Sequence, residues 1–301
     1  MRSASPPDLM ARGYAKINLG LEVLGRRSDG LHEVATILQT VSLADRLDIR
    51  CGEGLTLRCR GMTATPGNLI LRAANLLRAH SGGEQGAAIQ CIKRIPVAAG
   101  LGGGSADAGA ALRALNVFWD CNLADDELAA HGAELGADVP FTVRGGTALA
   151  TGSGRDLTHL NDSPVCWLVL TPFTDAEGDK TREMYASLLP SDYSDGAVVR
   201  KQASSLAAGR IAMDLLPNAF RRAACERWPQ VASAIRALEE SGATGVTLTG
   251  AGPSCLGLYA SRAAALQGYR RVRSRGLEAC LCRFIPSIQA RELQGPHARF
   301  E

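Results

Sequence analysis

Apolar and polar residues alternate near the start of the chain. Between Tyr14 and Val23 every odd-numbered position is apolar, whereas Lys16, Asn18 and Glu22 occupy even-numbered positions. A period of two residues is typical of a β-strand that places one face in the core and the other toward solvent. Further strands are predicted at residues 34–43, 47–51, 55–59 and 88–95.

Other segments repeat their apolar residues with the period of a helix. Asn68 is a suitable N-cap for a helix that extends to about His80, and Ser105 begins a second helix with apolar residues at helical spacing. A third helix is predicted from Asp125 to Gly136. The second half of the chain contains predicted strands at 165–170, 255–259 and 279–284, and helical segments that include 227–240. This mixture predicts an α+β fold.

Two domains are expected, with a boundary in the polar segment at residues 161–164. The prediction is a frayed tail at residues 1–12, an N-terminal domain at 13–161 and a C-terminal domain at 162–301. The longest apolar run, residues 165–170, is far too short to span a bilayer, so no membrane segment is expected. The N-terminus lacks the apolar segment of a secretion signal, and a cytoplasmic protein is therefore expected.

Composition narrows the function classes. The 301 residues are 46% hydrophobic and carry a net charge of +3, which argues against disorder and against a general nucleic-acid binder. The nine cysteines form no pair at zinc-ligand spacing, and we expect buried thiols rather than a metal site. Oligomeric state is open between monomer and homodimer.

A glycine-rich loop is the strongest chemical signal. It follows a predicted strand and precedes a helix, so its backbone N–H groups and the helix N-terminus can converge on a phosphate. It matches neither the P-loop pattern nor the dinucleotide pattern, and a flexible connector is the alternative. Ser105 is a candidate ligand of phosphate or of a metal ion. The candidate phosphate-binding residues are Pro96, Val97, Ala98, Ala99, Gly100, Leu101, Gly102, Gly103, Gly104, Ser105 and Ala106.

Lys16 and Asp138 are candidate catalytic residues. A lysine on a strand face is usually solvated, and an aspartate just after a helix is often only a turn or cap residue. Together with the loop, however, they suit phosphoryl transfer: the loop holds a triphosphate, the carboxylate takes a hydroxyl proton and the ammonium stabilises charge.

Four separated segments carry a resemblance to the GHMP kinases, named after galactose, homoserine, mevalonate and phosphomevalonate kinases. Residues 96–106 resemble their nucleotide loop, and Thr249-Gly-Ala-Gly-Pro-Ser254 resembles their third motif. Residues 14–21 with 27–33, and residues 135–140, are similar to one branch in particular, which phosphorylates a cytidine-diphosphate-linked polyol in isoprenoid precursor synthesis.

The resemblance implies a two-domain α+β fold with the active site in the cleft between the domains, and it implies ATP and Mg²⁺ as cofactors. Asp138 would be the base for the substrate hydroxyl and Lys16 its charge partner. Asn18 would help to hold the substrate, and His32 would bind the cytidine base. The second glycine loop, at Gly250 and Gly252, alone predicts only a tight turn; beside the first loop it could press backbone against a phosphate or sugar.

Two positions depart from the pattern of this branch. Leu31 stands where a tyrosine commonly stacks on cytosine, and Phe173 is a candidate for the missing aromatic face, with core packing as the alternative. Ala219 stands where an aspartate is usual. Other GHMP kinases that act on mevalonate, a sugar or homoserine remain alternatives, as does a non-catalytic ligand-binding protein on the same fold.

Overall fold

The computed structural model describes residues 7–60, 65, 67–174 and 180–296. The strands are β1 Leu9–Arg26, β2 His32–Arg50, β3 Leu55–Arg60, β4 Ala87–Ile92, β5 Thr147–Thr151, β6 Asp156–Leu160, β7 Trp167–Thr171, β8 Gly245–Leu248, β9 Cys255–Tyr259, β10 Cys280–Arg283 and β11 Leu293–Gln294. The helices are α1 Leu69–His80, α2 Gly103–Phe118, α3 Asp125–Leu135, α4 Val139–Arg144, α5 Lys180–Ala186, α6 Ala197–Ala207, α7 Arg221–Arg227, α8 Pro229–Glu240, α9 Arg262–Ser274 and α10 Ser287–Arg291. The predicted α+β class is confirmed.

The larger sheet is built around a long antiparallel pair, β1 and β2. Strand order is β11-β1-β2-β4-β3, and β5 and β6 extend the sheet from the other end of β2. The polar side of β1 is also buried: Lys16, Asn18 and Glu22 are each less than 10% exposed. The core face that the alternation predicts is confirmed, and the polar face of the same strand is covered as well.

Helix α2 packs closely on β1, and this contact places the glycine-rich loop. Its buried face is rich in alanine, so the helix axis can approach the sheet. A Cβ on Gly13 would lie 2.9 Å from the backbone of Ala106 at the first turns of this helix. The start of α2 is thereby held directly over the strand that carries Lys16.

The smaller sheet, in the order β10-β7-β9-β8, forms the second core together with α8 and α9. Leu168, Val169 and Leu170 are fully buried, as expected for a short apolar run in a central strand. All nine cysteines are free thiols, and four of them are buried. No helix among the described residues is long and apolar enough to cross a membrane.

Several predicted boundaries are wrong. Residues 9–12 were assigned to a frayed tail but lie in β1, where Leu9 and Ala11 are fully buried; residues 1–6 of that tail lie outside the described part. The two strands predicted at 34–43 and 47–51 form one continuous strand that ends at Arg50, because β1 pairs with it along almost its whole length. At the other end, residues 293–294 pair with β1, so the last part of the predicted C-terminal domain completes the first sheet.

Candidate active site

Lys16 and Asp138 meet in a cleft. Their Nζ and Oδ2 atoms are 3.4 Å apart, and the Lys16 side chain is 9% exposed whereas that of Asp138 is 36% exposed. Asp138 stands at the N-cap position of α4, yet its side chain makes no capping hydrogen bond. The carboxylate is thus directed to the lysine instead of to its own helix, which leaves it open to a ligand.

A hydrogen-bond network fixes the lysine from behind. Lys16 Nζ donates to Asn18 Oδ1 at 3.2 Å, and Asn18 Nδ2 donates to Thr36 Oγ1 at 2.8 Å. Thr249 Oγ1, from the second glycine loop, accepts from the Asn18 backbone N–H at 3.2 Å. The strand, its neighbour and the second loop are therefore tied together at Asn18, which holds the ammonium in place.

The glycine-rich loop wraps around the same lysine. The backbone N–H of Lys16 donates to the carbonyl of Leu101 at 3.0 Å. Gly102 has φ +68°, and a Cβ there would lie 2.9 Å from Lys16 Cγ. Helix α2 begins at Gly103, two residues earlier than predicted, so its N-terminal N–H groups face the end of the loop.

A cavity of about 450 Å³ lies on the outer side of this loop. It is lined by the loop, by Ser105 and by Asn68 and Lys93. Lys93 Nζ donates to Asp107 Oδ2 at 2.7 Å and also to Asp45. Burial raises the pKa of Asp107, whose Oδ1 has no hydrogen-bond partner among the described residues. The Asp107 carboxylate and the Lys93 ammonium thus line the cavity next to the glycine-rich loop.

The second glycine loop closes the inner side. Asn218 Nδ2 donates to the carbonyls of Leu248 and Gly250 at 3.3 and 3.0 Å, which fixes the loop backbone. A cavity of about 260 Å³ remains between the two loops. Gly250 and Gly252 line it, and its other lining residues are Lys16, Asn18, Leu21, Gly100, Gly102, Asp138, Lys180, Thr181, Tyr185, Phe220 and Ala251.

A third cavity, of about 810 Å³, opens beside His32. The His32 ring stacks on Tyr185 with centroids 4.6 Å apart and an interplanar angle of 26°. Leu31 also lines this cavity and is 53% exposed. Thr181 and Tyr185 line both this cavity and the one at Asp138, so the two spaces adjoin along α5.

The electrostatics of His32 suit a neutral ring. Burial lowers the pKa of its imidazole, and the charge of Arg26 lowers it further. At pH 7 the ring therefore offers one donor and one acceptor nitrogen, and its stacked neighbour offers an apolar face. This arrangement can bind a flat heterocycle that has both donors and acceptors on its edge.

Phe173 is not where a base-stacking residue would be. Its side chain packs against the core of the smaller sheet, and it lines none of the three cavities described above. The alternative of core packing is therefore the one observed. Sequence reasoning missed two residues that line the cavity at Asp138, Lys180 and Tyr185, because no motif marks them and their partners are distant in the chain.

Comparison with known proteins agrees with this geometry. Residues 68–146 match the GHMP kinases N terminal domain, and residues 220–277 match the GHMP kinases C terminal domain. The chain is 42% identical over 271 residues to 4-diphosphocytidyl-2-C-methyl-D-erythritol kinase of Pelotomaculum thermopropionicum, covering 88% of this chain and 94% of that one. It is 36% identical to the Dehalococcoides mccartyi protein of the same name, covering 89% and 95%.

Solved structures give the same result. A crystal structure of 4-(cytidine 5'-diphospho)-2C-methyl-D-erythritol kinase matches with a TM-score of 0.80 at 31% identity, covering 91% of this chain and 98% of that one. Homoserine kinase from Cytophaga hutchinsonii matches with a TM-score of 0.70 at 16% identity, covering 98% and 99%. The second match concerns the fold alone, and it agrees with the predicted two-domain GHMP architecture.

Proposed function

Because the chain belongs to the 4-diphosphocytidyl-2-C-methyl-D-erythritol kinase family of the GHMP kinases, we propose that it transfers the γ-phosphoryl group of ATP to the 2-hydroxyl of 4-diphosphocytidyl-2-C-methyl-D-erythritol. The observation that supports this most directly is the pair of Lys16 and Asp138, 3.4 Å apart in the cavity between two glycine loops. Phosphoryl transfer to a hydroxyl needs a group that accepts the proton and a cation that stabilises the phosphoryl charge, and this carboxylate and ammonium lie next to a loop suited to phosphates.

In this mechanism Asp138 accepts the proton of the attacking hydroxyl. The hydroxyl oxygen then bonds to the γ-phosphorus, and the bond to the bridging oxygen of ADP breaks. Lys16 lies 3.4 Å from the carboxylate and holds it directed into the cavity, and its positive charge offsets the negative charge on the transferred group. The Asn18 network holds Lys16 in this position, so little reorganisation accompanies the reaction.

The nucleotide is placed with its phosphates on residues 100–105 and its base toward the cavity beside Asn68 and Lys93. The start of α2 favours negative charge there through its unpaired N–H groups. Magnesium suits this site, since it prefers few protein oxygens together with phosphates, and the described residues contain no cluster of three or more acidic, histidine or cysteine ligands. Ser105 would hold the ion, which would neutralise phosphate charge.

The cytidyl group is placed in the cavity of about 810 Å³. His32 would pair with the edge of the base through its ring nitrogens, and Tyr185 would supply the aromatic face that the tyrosine at position 31 supplies in related enzymes. Leu31 would cover the base with an aliphatic surface. Thr181 and Tyr185 line both cavities, so one extended substrate can reach from His32 to Asp138.

Substrate choice is tested by turnover of the purified protein. ADP release is measured with ATP and each of four acceptors: the cytidyl polyol, mevalonate, homoserine and galactose. We expect turnover with the cytidyl polyol and at most a background rate with the others. Preferred turnover of another acceptor would contradict the substrate assignment, and no turnover with any of them would favour the non-catalytic alternative.

The role of Asp138 is tested by Asp138→Asn. Asparagine retains the shape but cannot accept the proton, so kcat should fall by about 10²- to 10⁴-fold while ATP affinity changes little. The matched control is Asp214→Asn, which removes one carboxylate from an exposed position that lines none of the cavities described above. A kcat near that of the unmodified protein would remove Asp138 from the mechanism.

A further inference from the structure

The lysines of this chain are concentrated at the glycine-rich loop. The sequence contains only four, and its other basic side chains are arginines. A Cβ on Gly102 would contact Lys16, a Cβ on Gly103 would lie 3.4 Å from Lys93 Nζ, and a Cβ on Gly100 would lie 3.5 Å from Lys180 Nζ. Only Lys201, exposed on α6, lies elsewhere. Lysine is a compact point charge with three rotatable donors, which suits a phosphoryl group that changes geometry.

Lys180 differs from the other two in its partners. Lys16 is paired with Asp138, and Lys93 is paired with Asp45 and Asp107. Lys180 Nζ donates only to the carbonyl of Ala98, at 3.4 Å, and forms no ion pair within the described part of the chain. Burial lowers the pKa of its ammonium, and the charge of Lys16 lowers it further.

A partly buried cation beside another cation is unfavourable unless an anion joins them. Lys180 lines the same cavity as Lys16 and Asp138, on the side where the two glycine loops approach each other. The carbonyl of Gly252, from the second loop, also lies within 3.3 Å of the Cβ position on Gly100. An anion between Gly100 and Asp138 would therefore contact both ammonium groups.

We propose that Lys180 is a catalytic residue that binds the γ-phosphoryl group of ATP opposite Lys16. The inference rests on the proposed function, because that function places the γ-phosphorus between the loop and Asp138. As the hydroxyl oxygen bonds to phosphorus and the electron pair of the broken bond moves to ADP, Lys180 and Lys16 contact the transferred group from two sides. Asp138 holds the hydroxyl proton during the transfer and then releases it to solvent.

The position of Lys180 also connects the two substrates. It is the first residue of α5, and Tyr185 lies one turn further along the same helix. A single short helix thus carries the phosphoryl-binding ammonium, the shared Thr181 and the aromatic face beside His32. Movement of α5 on binding of the cytidyl group would move the ammonium as well.

The test compares a nucleotide that has a γ-phosphate with one that lacks it. Binding of the non-hydrolysable ATP analogue AMP-PNP and of ADP is measured by calorimetry for Lys180→Met and for the control Lys201→Met. We expect Lys180→Met to lose about tenfold or more in affinity for AMP-PNP, as for one charged hydrogen bond, with ADP affinity unchanged. Lys201→Met should alter neither. Unchanged ADP binding also shows that the variant is folded.

Steady-state kinetics complete the assignment. Lys180→Met should lower kcat by about 10²-fold while KM for the cytidyl substrate stays the same, and Lys180→Arg should recover part of kcat because it keeps the charge. Equal losses for AMP-PNP and ADP would overturn the γ-phosphoryl contact, as would a change confined to KM of the cytidyl substrate or no change at all. The calorimetry needs no acceptor, so failure of the proposed substrate would appear separately, in turnover by the unmodified protein.

Discussion

Tyr185 and His32 come from distant segments, and their stacked rings place an aromatic surface beside Leu31. Tyr185 is held from behind by Phe220, whose ring meets it edge-on with centroids 4.9 Å apart. The face of Tyr185 is therefore positioned by packing, and burial raises the pKa of its hydroxyl. A ring fixed in this way can stack on a base with little loss of side-chain entropy.

Replacing Tyr185 by alanine should raise KM for the cytidyl substrate by about tenfold or more, because base–aromatic stacking contributes ~1–3 kcal/mol. KM for ATP should rise much less, since this ring does not line the cavity assigned to the base and the loop-bound phosphates. Tyr185→Phe is the matched control, because it keeps the ring and should keep KM. An equal rise in both KM values would instead indicate that α5 had been displaced as a whole.

At the scale of elements, the glycine-rich loop and helix α2 act as one unit around Lys16. Gly102 has a left-handed backbone conformation, and its missing Cβ leaves room for the lysine stem. An added methyl group would therefore impose backbone strain and displace the stem that carries the catalytic ammonium. Strain and displacement have different consequences, so a suitable control can separate them.

Gly102→Ala should lower both the melting temperature and kcat. The control is Gly82→Ala, at φ +96° with nothing within 4 Å of the added Cβ, which imposes strain in open space. Each change should cost about 1–3 kcal/mol of stability, but only Gly102→Ala should reduce kcat, by tenfold or more, because Lys16 moves. Thermal unfolding and steady-state kinetics are measured on both; an equal kcat in the two variants would exclude displacement of Lys16.

These elements also indicate what the sequence can and cannot predict. Asn68 caps α1 as expected, and the glycine-rich loop lies between a strand and α2, because both signals are local. Lys16 was correctly placed on a strand, but its burial depends on Asn18, Thr249 and the loop, which are joined only in the fold. Helix α5 is not recognisable as a contributor from the sequence, because Lys180 contacts Ala98 and Tyr185 stacks on His32, and both partners are distant in the chain.

At the scale of the whole molecule, the chain returns at its end to the sheet where it began. Strand β11 pairs with β1. The Arg291 Nη1 atom of α10 lies 2.5 Å from the Asp125 Oδ2 atom of α3. Arg113 of α2 is buried, and its guanidinium donates to the carbonyls of Thr142 and Ala290 at 2.5 and 3.1 Å. Helix α10 thereby supplies one of the carbonyl partners of a buried cation on α2, the helix whose start faces the glycine-rich loop.

Removing α10 and β11 should therefore destabilise the nucleotide site, although these two elements line none of the cavities assigned to the substrates. Truncation after Pro286 deletes α10 and β11, leaves Arg113 without the Ala290 carbonyl and exposes the edge of β1. A buried, charged N–H that loses its hydrogen-bond acceptor costs about 1–3 kcal/mol, so we expect a clearly lower melting temperature. AMP-PNP should restore part of the lost stability, because it binds only the folded state. Truncation after Pro296, which retains both elements, is the control and should melt like the full chain. If the two truncated proteins had the same melting temperature, α10 and β11 would not stabilise the fold. The position of α2 would then depend only on its contacts with β1 and α4.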